Sequence, residues 1–358
     1  MDASNDEPLL TPDGAHPTLV NMELRVRDLT REVQALRKQI ALLRVAARPP
    51  RPPLRVWLRH RLKTALGLRV MLGRLSFDEP PRPVYVPRWY HTRPAVQNPP
   101  TISIATPSYN QGAFLEHTIQ SVLSQGYPNL QYVVQDGGST DDTADVIARH
   151  RPRLHHAEMR KDNGQSHAIN LGLARTDGEL MAYLNSDDVL LPGTLWAVAK
   201  YFEDHPDVDV VYGHRVVINE DGYELGRWVL PGHQDEVLRW ADYVPQETMF
   251  WRRRIWDKAG GRIDESFRFA MDWDLLLRFL EAGAKFHRLP RFLGGFRVHT
   301  RSKTMTVVNT QGQDEMARLR RRAHGRDVTY PEVNAAIRGY LAWHVVHNRL
   351  YRLGLLRY

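Results

Sequence analysis

The chain has 358 residues, 42% of them hydrophobic and 25% charged, and no cysteine. This composition excludes a wholly disordered or fibrous protein, and the missing thiols exclude disulfides, thiolate metal sites and cysteine nucleophiles. A formal net charge of +8 favours polyanionic partners, whether nucleic acid, anionic lipid or a phosphorylated small molecule.

Residues 1–17 are acidic and proline-bearing and read as a disordered tail without the apolar stretch of a signal peptide. No apolar run approaches the roughly 18 residues that cross a bilayer. The expected location is therefore cytoplasmic. Within 18–48, Met22, Val26, Leu29, Val33, Leu36, Ile40 and Leu43 recur at alternating steps of four and three. This is the seam of a coiled-coil helix and predicts a homo-oligomer through residues 22–43, the alternative being one amphipathic helix on its own domain. Pro49, Pro50, Pro52 and Pro53 end it.

Residues 49–100 read as a proline-rich linker interrupted by a basic amphipathic helix over 54–75, where Leu, Trp and Met alternate with arginines and no acid occurs. Such a helix suits peripheral contact with an anionic membrane at its inner face, or docking on the next domain with its arginines in water. Seven prolines between Pro80 and Pro100 then predict a stiff spacer and a domain boundary at residue 101.

From Thr101 short β-rich runs alternate with amphipathic helices, the rhythm of an α/β fold with a mixed, mostly parallel sheet flanked by helices. Strands are expected at 101–106, 130–135, near Leu154 and at 179–184, with helices through Phe114–Leu123, from Thr140 and over 164–174. Polar clusters fall at the strand ends: Thr106-Pro107-Ser108-Tyr109-Asn110, Asp136-Gly137-Gly138-Ser139, Lys161-Asp162-Asn163-Gly164 and Asn185-Ser186-Asp187-Asp188. In doubly wound sheets such ends meet at the ligand-binding edge. Glycines there let backbone N–H groups approach an anion, though Gly-Gly is also an ordinary turn; Asp136 suits either a nucleobase contact or a cap. Asp187 and Asp188 after the apolar run 180–184 create a repulsion that Mg²⁺ or Mn²⁺ would relieve, with a turn and helix cap as the alternative.

Together these clusters resemble the family 2 glycosyltransferases over roughly residues 101–304. The resemblance rests on TPSYNQGAFLEHTIQSVLSQGYPNLQYVVQDGGSTDDT, DNGQSHAINLGLARTDGELMAYLNSDD, PGTL, VVYG, PQETMFWRR, AMDWDLLLRF and FRVHTRSKT. It implies a GT-A fold over 101–305 and transfer of a sugar, of hexosyl type, from a UDP or dTDP donor to an acceptor hydroxyl with inversion. The acceptor would be a saccharide or a lipid-linked glycan in bacterial polysaccharide or glycolipid synthesis. It places Thr106, Pro107, Tyr109, Asp136 and Lys161 around the nucleotide, and Asn185 and Asp187 at the D-x-D position, where the neutral Asn185 departs from the simplest pattern. It further implies Asp187 and His299 as metal ligands and Gln246 on the acceptor side.

By the same resemblance Asp272 is the catalytic base. A helix beginning near Ala270 aims Asp272 back at the cleft and turns Asp274 about 200° away, although a helix cap would select the same residue. Trp273 is read as an acceptor-side wall or a core residue, and Arg252–Arg254 as a basic face toward acidic acceptors or solvent. Arg301 or Lys303 could help the leaving group. Residues 306–358 form a C-terminal helical extension that covers the domain or touches a membrane. A basic coiled-coil nucleic-acid binder is the first alternative, weakened because both charge signs line the heptads. A sugar nucleotidyltransferase is the second, weakened because no glycine-rich basic loop follows the first strand. Nucleic acid is therefore not an expected partner.

Overall fold

The computed structural model describes residues 81–299 and 311–358. The heptads of 22–43, the basic helix of 54–75, Arg301 and Lys303 lie outside the described residues.

Four parallel strands start the sheet: β1 (Ile102–Ser108), β2 (Leu130–Asp136), β3 (His156–Met159) and β4 (Leu180–Tyr183), side by side in the order β3-β2-β1-β4. Three crossover helices, α1 (Gly112–Leu123), α2 (Thr143–His150) and α3 (Gln165–Leu173), join them as parallel neighbours require. Strand alternation then builds two cores. Ile102, Ile104, Leu180 and Ala182 face α1, α2 and α4 (Thr194–Asp204); Ala105, Met181 and Tyr183 face α3 and the later helices.

The second half of the sheet departs from the expectation. β4 is followed by β8 (Phe250–Arg252), β6 (Val210–Ile218), β9 (Phe286–Arg297) and β5 (Val189–Leu190), while β7 (Glu224–Trp228) flanks β6. The pairs β4–β8, β6–β8, β6–β7 and β5–β9 are antiparallel, and only β6–β9 is parallel. The sheet is mixed, not mostly parallel. The short return from β6 to β7 leaves no room for a crossover, so that pair must be a hairpin.

The presumed spacer packs on this sheet over its described part, 81–100. Arg82 exchanges backbone hydrogen bonds with Glu224 and its guanidinium meets the Glu224 carboxylate at 2.5 Å. Tyr90 is completely buried, its hydroxyl accepting from Phe292 N at 2.9 Å.

Four helices complete the second face: α5 (Asp235–Trp240), α6 (Arg253–Lys258), α7 (Met271–Glu281) and α8 (Gln311–His324). The chain's end makes two more, α9 (Tyr330–Ala336) and α10 (Arg338–Arg352), and Leu319, Val333, Ile337, Tyr340 and Leu341 from this extension join the same core. No helix among the described residues is long and apolar enough to cross a membrane.

Candidate active site

The register Ser108↔Asp136 and Ala105↔Tyr183 brings the carboxyl ends of β1, β2 and β4 to one edge, as doubly wound sheets do at their ligand sites. After β1, Tyr109 stands 64% exposed, a flat aromatic face open to a ligand. Asn110 follows in the left-handed region, with φ 52°, and ties this loop to the next: its amide N donates to Ser139 Oγ at 2.7 Å and its Oδ1 accepts from Thr140 N at 2.9 Å.

Asp136 holds the Gly-Gly loop. Fully buried, it accepts from Gly138 N at 3.0 Å, Ser139 N at 2.8 Å and Ser139 Oγ at 2.5 Å. Gly137 and Gly138 lie against Asp162 and Lys161, a Cβ on Gly137 coming within 3.0 Å of the Asp162 carboxylate. Gly137 thus packs tightly on Asp162, Gly138 takes φ 87°, a left-handed backbone that favours glycine, and exposed Lys161 lies beside them. The Asp136 carboxylate is thus turned onto its own loop, the turn-residue alternative to the expected nucleobase contact. Thr106 is also displaced from that role, because its hydroxyl is buried 3.0 Å from Tyr132 OH, and Pro107 is buried beside it.

After β4, the 185–188 turn is fixed from three sides. Asn185 Oδ1 accepts from Gln165 at 2.6 Å, and its Nδ2 donates to Gln246 Oε1 at 3.1 Å. Gln246 in turn donates to Tyr183 O at 2.7 Å and is 8% exposed. Both ends of the Gln246 amide thus serve the turn, in place of the expected acceptor contact. Arg297, at the end of β9, donates from its backbone to Asp188 Oδ1 at 2.9 Å and from Nε to Asp187 O at 2.8 Å.

β9 continues to His299, whose Nε2 lies 3.0 Å from Asp187 Oδ2. The ring packs 4.7 Å from Phe114, whose other contact is the Arg297 guanidinium at 5.1 Å. Asp187 retains 20% side-chain exposure and His299 1%, so the pair is open on the carboxylate side.

A carboxylate oxygen and an imidazole nitrogen are suitable donors for Mn²⁺ or Mg²⁺. Their spacing matches that of neighbouring ligands each about 2.1 Å from one ion. His299 Nδ1 is buried without a hydrogen-bond partner among the described residues. No set of three acids or histidines close enough to hold an ion occurs among the described residues. Among the described residues Asp187 and His299 would be two ligands, and substrate phosphate and water would complete a shell, the usual arrangement for Mg²⁺.

The charge balance agrees. The buried Tyr183 hydroxyl senses Asp272, Asp242, Asp188 and Glu247, which together with burial raises its pKa well above the ordinary value. These carboxylates and Asp187 face Arg215, paired with Glu247 through Nε at 2.9 Å, and Arg297. Burial, then the charges of Asp187 and Glu247, hold Asp188 well above the usual carboxylate range, and burial with Asp272 does the same to Asp242. The acids outnumber these two arginines, and an acid-rich edge of this kind favours cation binding.

Asp272 opens α7 as expected. Burial pushes its pKa up to about 6, against the opposing effects of the Trp273 N–H and Arg215. Its Oδ1 accepts from Trp273 N at 2.9 Å, leaving Oδ2 for a proton. A carboxylate ionised near neutrality but more basic than usual is suited to general-base work. Asp274 takes the supporting role, between Arg278 at 2.9 Å and Arg322 at 2.6 Å. Trp273 is 1% exposed and donates to Leu238 O at 2.8 Å, so it is a core residue and not an acceptor wall. Arg252 and Arg253 turn inward, onto Glu179 and Gly178 O, while Arg254 is exposed and pairs with Asp209 at the surface.

The sequence reading missed Arg297, the Arg215–Glu247 pair and Asp242. Glu247 stands in the PQETMFWRR run, but nothing local marks its partner 32 positions away.

A family model described as Glycosyl transferase family 2 matches residues 103–261. An uncharacterized glycosyltransferase of Nostoc sp. is 32% identical over 226 residues, covering 60% of this chain and 70% of the relative. The O-antigen biosynthesis protein RfbC of Myxococcus xanthus is 28% identical over 284 residues, 73% of this chain and 22% of that protein. Among solved structures, S. aureus TarS 1-349 in complex with UDP-GlcNAc superposes with a TM-score of 0.53 at 18% identity, covering 70% of this chain and 74% of that one. That likeness concerns the fold. The chain spans between 22% and 56% of the length of three of the curated relatives it matches.

Proposed function

The chain belongs to glycosyl transferase family 2, and from that premise we propose that it moves a sugar, of hexosyl type, from a UDP or dTDP donor to an acceptor hydroxyl with inversion. The observation that carries this reading is the Asp187–His299 pair at 3.0 Å sharing one acid-rich neighbourhood with a basic, half-buried Asp272.

In this reading the nucleobase rests on the exposed Tyr109 ring, and the diphosphate lies by the Asp136-anchored loop and Lys161. Asp187 and His299 would hold Mn²⁺ or Mg²⁺, which when bound neutralises charge gathering on the leaving diphosphate. Asp272 Oδ2 takes the proton of the acceptor hydroxyl. The hydroxyl oxygen then bonds to the anomeric carbon as the carbon–oxygen bond to the diphosphate breaks, its electron pair leaving with the diphosphate. Such base catalysis contributes typically 10²- to 10⁴-fold.

The acceptor we infer is a saccharide or lipid-linked glycan of a bacterial surface polymer. The names of relatives support this: O-antigen biosynthesis in Myxococcus xanthus and teichuronic acid biosynthesis in Bacillus subtilis. Peripheral membrane contact belongs to the same reading. It is supported by α10, which exposes Trp343 and Val346 in a stretch, 338–358, that carries arginines and no acid. Oligomerisation through residues 22–43 is proposed from the heptads alone.

A donor panel assayed for nucleoside diphosphate release, with and without Mn²⁺, tests the proposal. Release from a uridine or thymidine diphosphate sugar only with the cation is expected. Release from none of the panel would overturn it.

A further inference from the structure

Helix α8 lies beyond the residues that the family model matches, yet it grips the segment that presents Asp272. Glu315, 7% exposed, accepts three successive backbone N–H groups: Arg268 at 2.9 Å on Oε1, and Phe269 at 2.8 Å and Ala270 at 2.9 Å on Oε2. Ala270 is the residue immediately before α7. On the same face of α8, Arg318 donates to Ser266 Oγ at 3.2 Å, and Arg322 binds the Asp274 carboxylate at 2.6 Å. Asp272 thus sits between two points fixed by one helix.

We propose that Glu315 is a positioning residue for Asp272: its carboxylate gathers the N–H groups of 268–270 and so sets where α7 begins and where Asp272 reaches. The inference rests on Asp272 as the base. Charged acceptors of N–H groups make short, directional bonds. Among the described residues these three donors have no other acceptor, so the course of the strap follows from the position of Glu315. The carboxylate also adds to the upward shift of Asp272, which couples its charge to the basicity of that residue.

The test compares Glu315→Ala, Glu315→Gln, Asp272→Asn and, as a control on the exposed face of α8, Arg321→Ala. Measured are kcat, donor KM, the pH dependence of kcat and thermal unfolding. In Glu315→Ala, kcat should fall by about 10²-fold, the effect of small misplacement of a catalytic group, with donor KM little changed because donor contacts lie on other elements. Glu315→Gln keeps an amide oxygen for part of the N–H set, so kcat should be intermediate. Its acid limb should move to lower pH, since the negative charge beside Asp272 is gone; a merely structural role would not move that limb. If Glu315→Ala does not fold, Glu315→Gln decides. Wild-type kcat and an unmoved limb in Glu315→Gln, with Asp272→Asn inactive, would overturn this inference alone. Transfer by Asp272→Asn would overturn the base assignment instead.

Discussion

His299 and Asp187, 112 positions apart, meet with Nε2 3.0 Å from Oδ2, where the end of β9 passes the turn after β4. If they share a cation, removing either ligand should weaken divalent-dependent donor binding by at least about tenfold, comparable to losses seen around other metal sites. Calorimetry of donor binding at rising Mn²⁺ measures this for Asp187→Ala and His299→Ala. An unchanged Mn²⁺ dependence in both variants would refute the pair as ligands.

The pKa of Asp272 sets a pH profile. As a base it works ionised, so kcat should fall below an apparent pKa near the value of about 6 that burial produces. A kcat flat from pH 5 to 8 would conflict with this, those limits bracketing that value by about a unit or more.

The same shift bears on stability, with the opposite sense. The folded state binds the Asp272 proton more tightly than the unfolded chain, whose carboxylate titrates near 3.9. This contribution to folding is therefore complete below pH about 4 and is lost as pH rises through about 6. Asp272→Asn should then be more stable than wild type at pH 8, by up to about 3 kcal/mol, with the difference disappearing toward pH 4. Denaturant unfolding at both pH values reads this directly; a variant less stable than wild type at pH 8 would contradict it.

Asp136 should matter through its loop. Asp136→Ala releases Gly138 N, Ser139 N and Ser139 Oγ, costing about 1–3 kcal/mol of stability. The donor should then bind about tenfold more weakly, as the Tyr109 and Gly-Gly loops are joined through Ser139. Equal donor affinity would show that the loop does not need this anchor.

The segment before β1 should be part of the folding unit. Tyr90→Phe removes the acceptor of the buried Phe292 N–H, at a cost of about 1–3 kcal/mol. An unshifted urea midpoint would show that 81–100 adds nothing to the domain.

The first half of the sheet was legible because its strands and helices alternate in long periodic runs, and parallel pairing follows from the crossover helices. The second half was not. β8 has three residues and β5 two, too short for a period, and their partners are set by tertiary packing. In the site, Asp187, His299 and Asp272 were expected from the resemblance, each standing in a motif that carries it: NSDD, FRVHTRSKT and AMDWDLLLRF. Arg297, Glu247 and Glu315 could not, because a charged residue reads as solvated until a distant partner buries it: the Arg297 guanidinium meets Asp187 O across 110 positions. Trp273 and Thr106 failed for the converse reason, as their polar atoms found partners inside the core.

The most direct test of the account is Asp272→Asn, followed by sugar transfer and by donor binding in the same preparation. Transfer should fall by at least about 10²-fold while the donor still binds with Mn²⁺ as in the wild type. Transfer at the wild-type rate would contradict it.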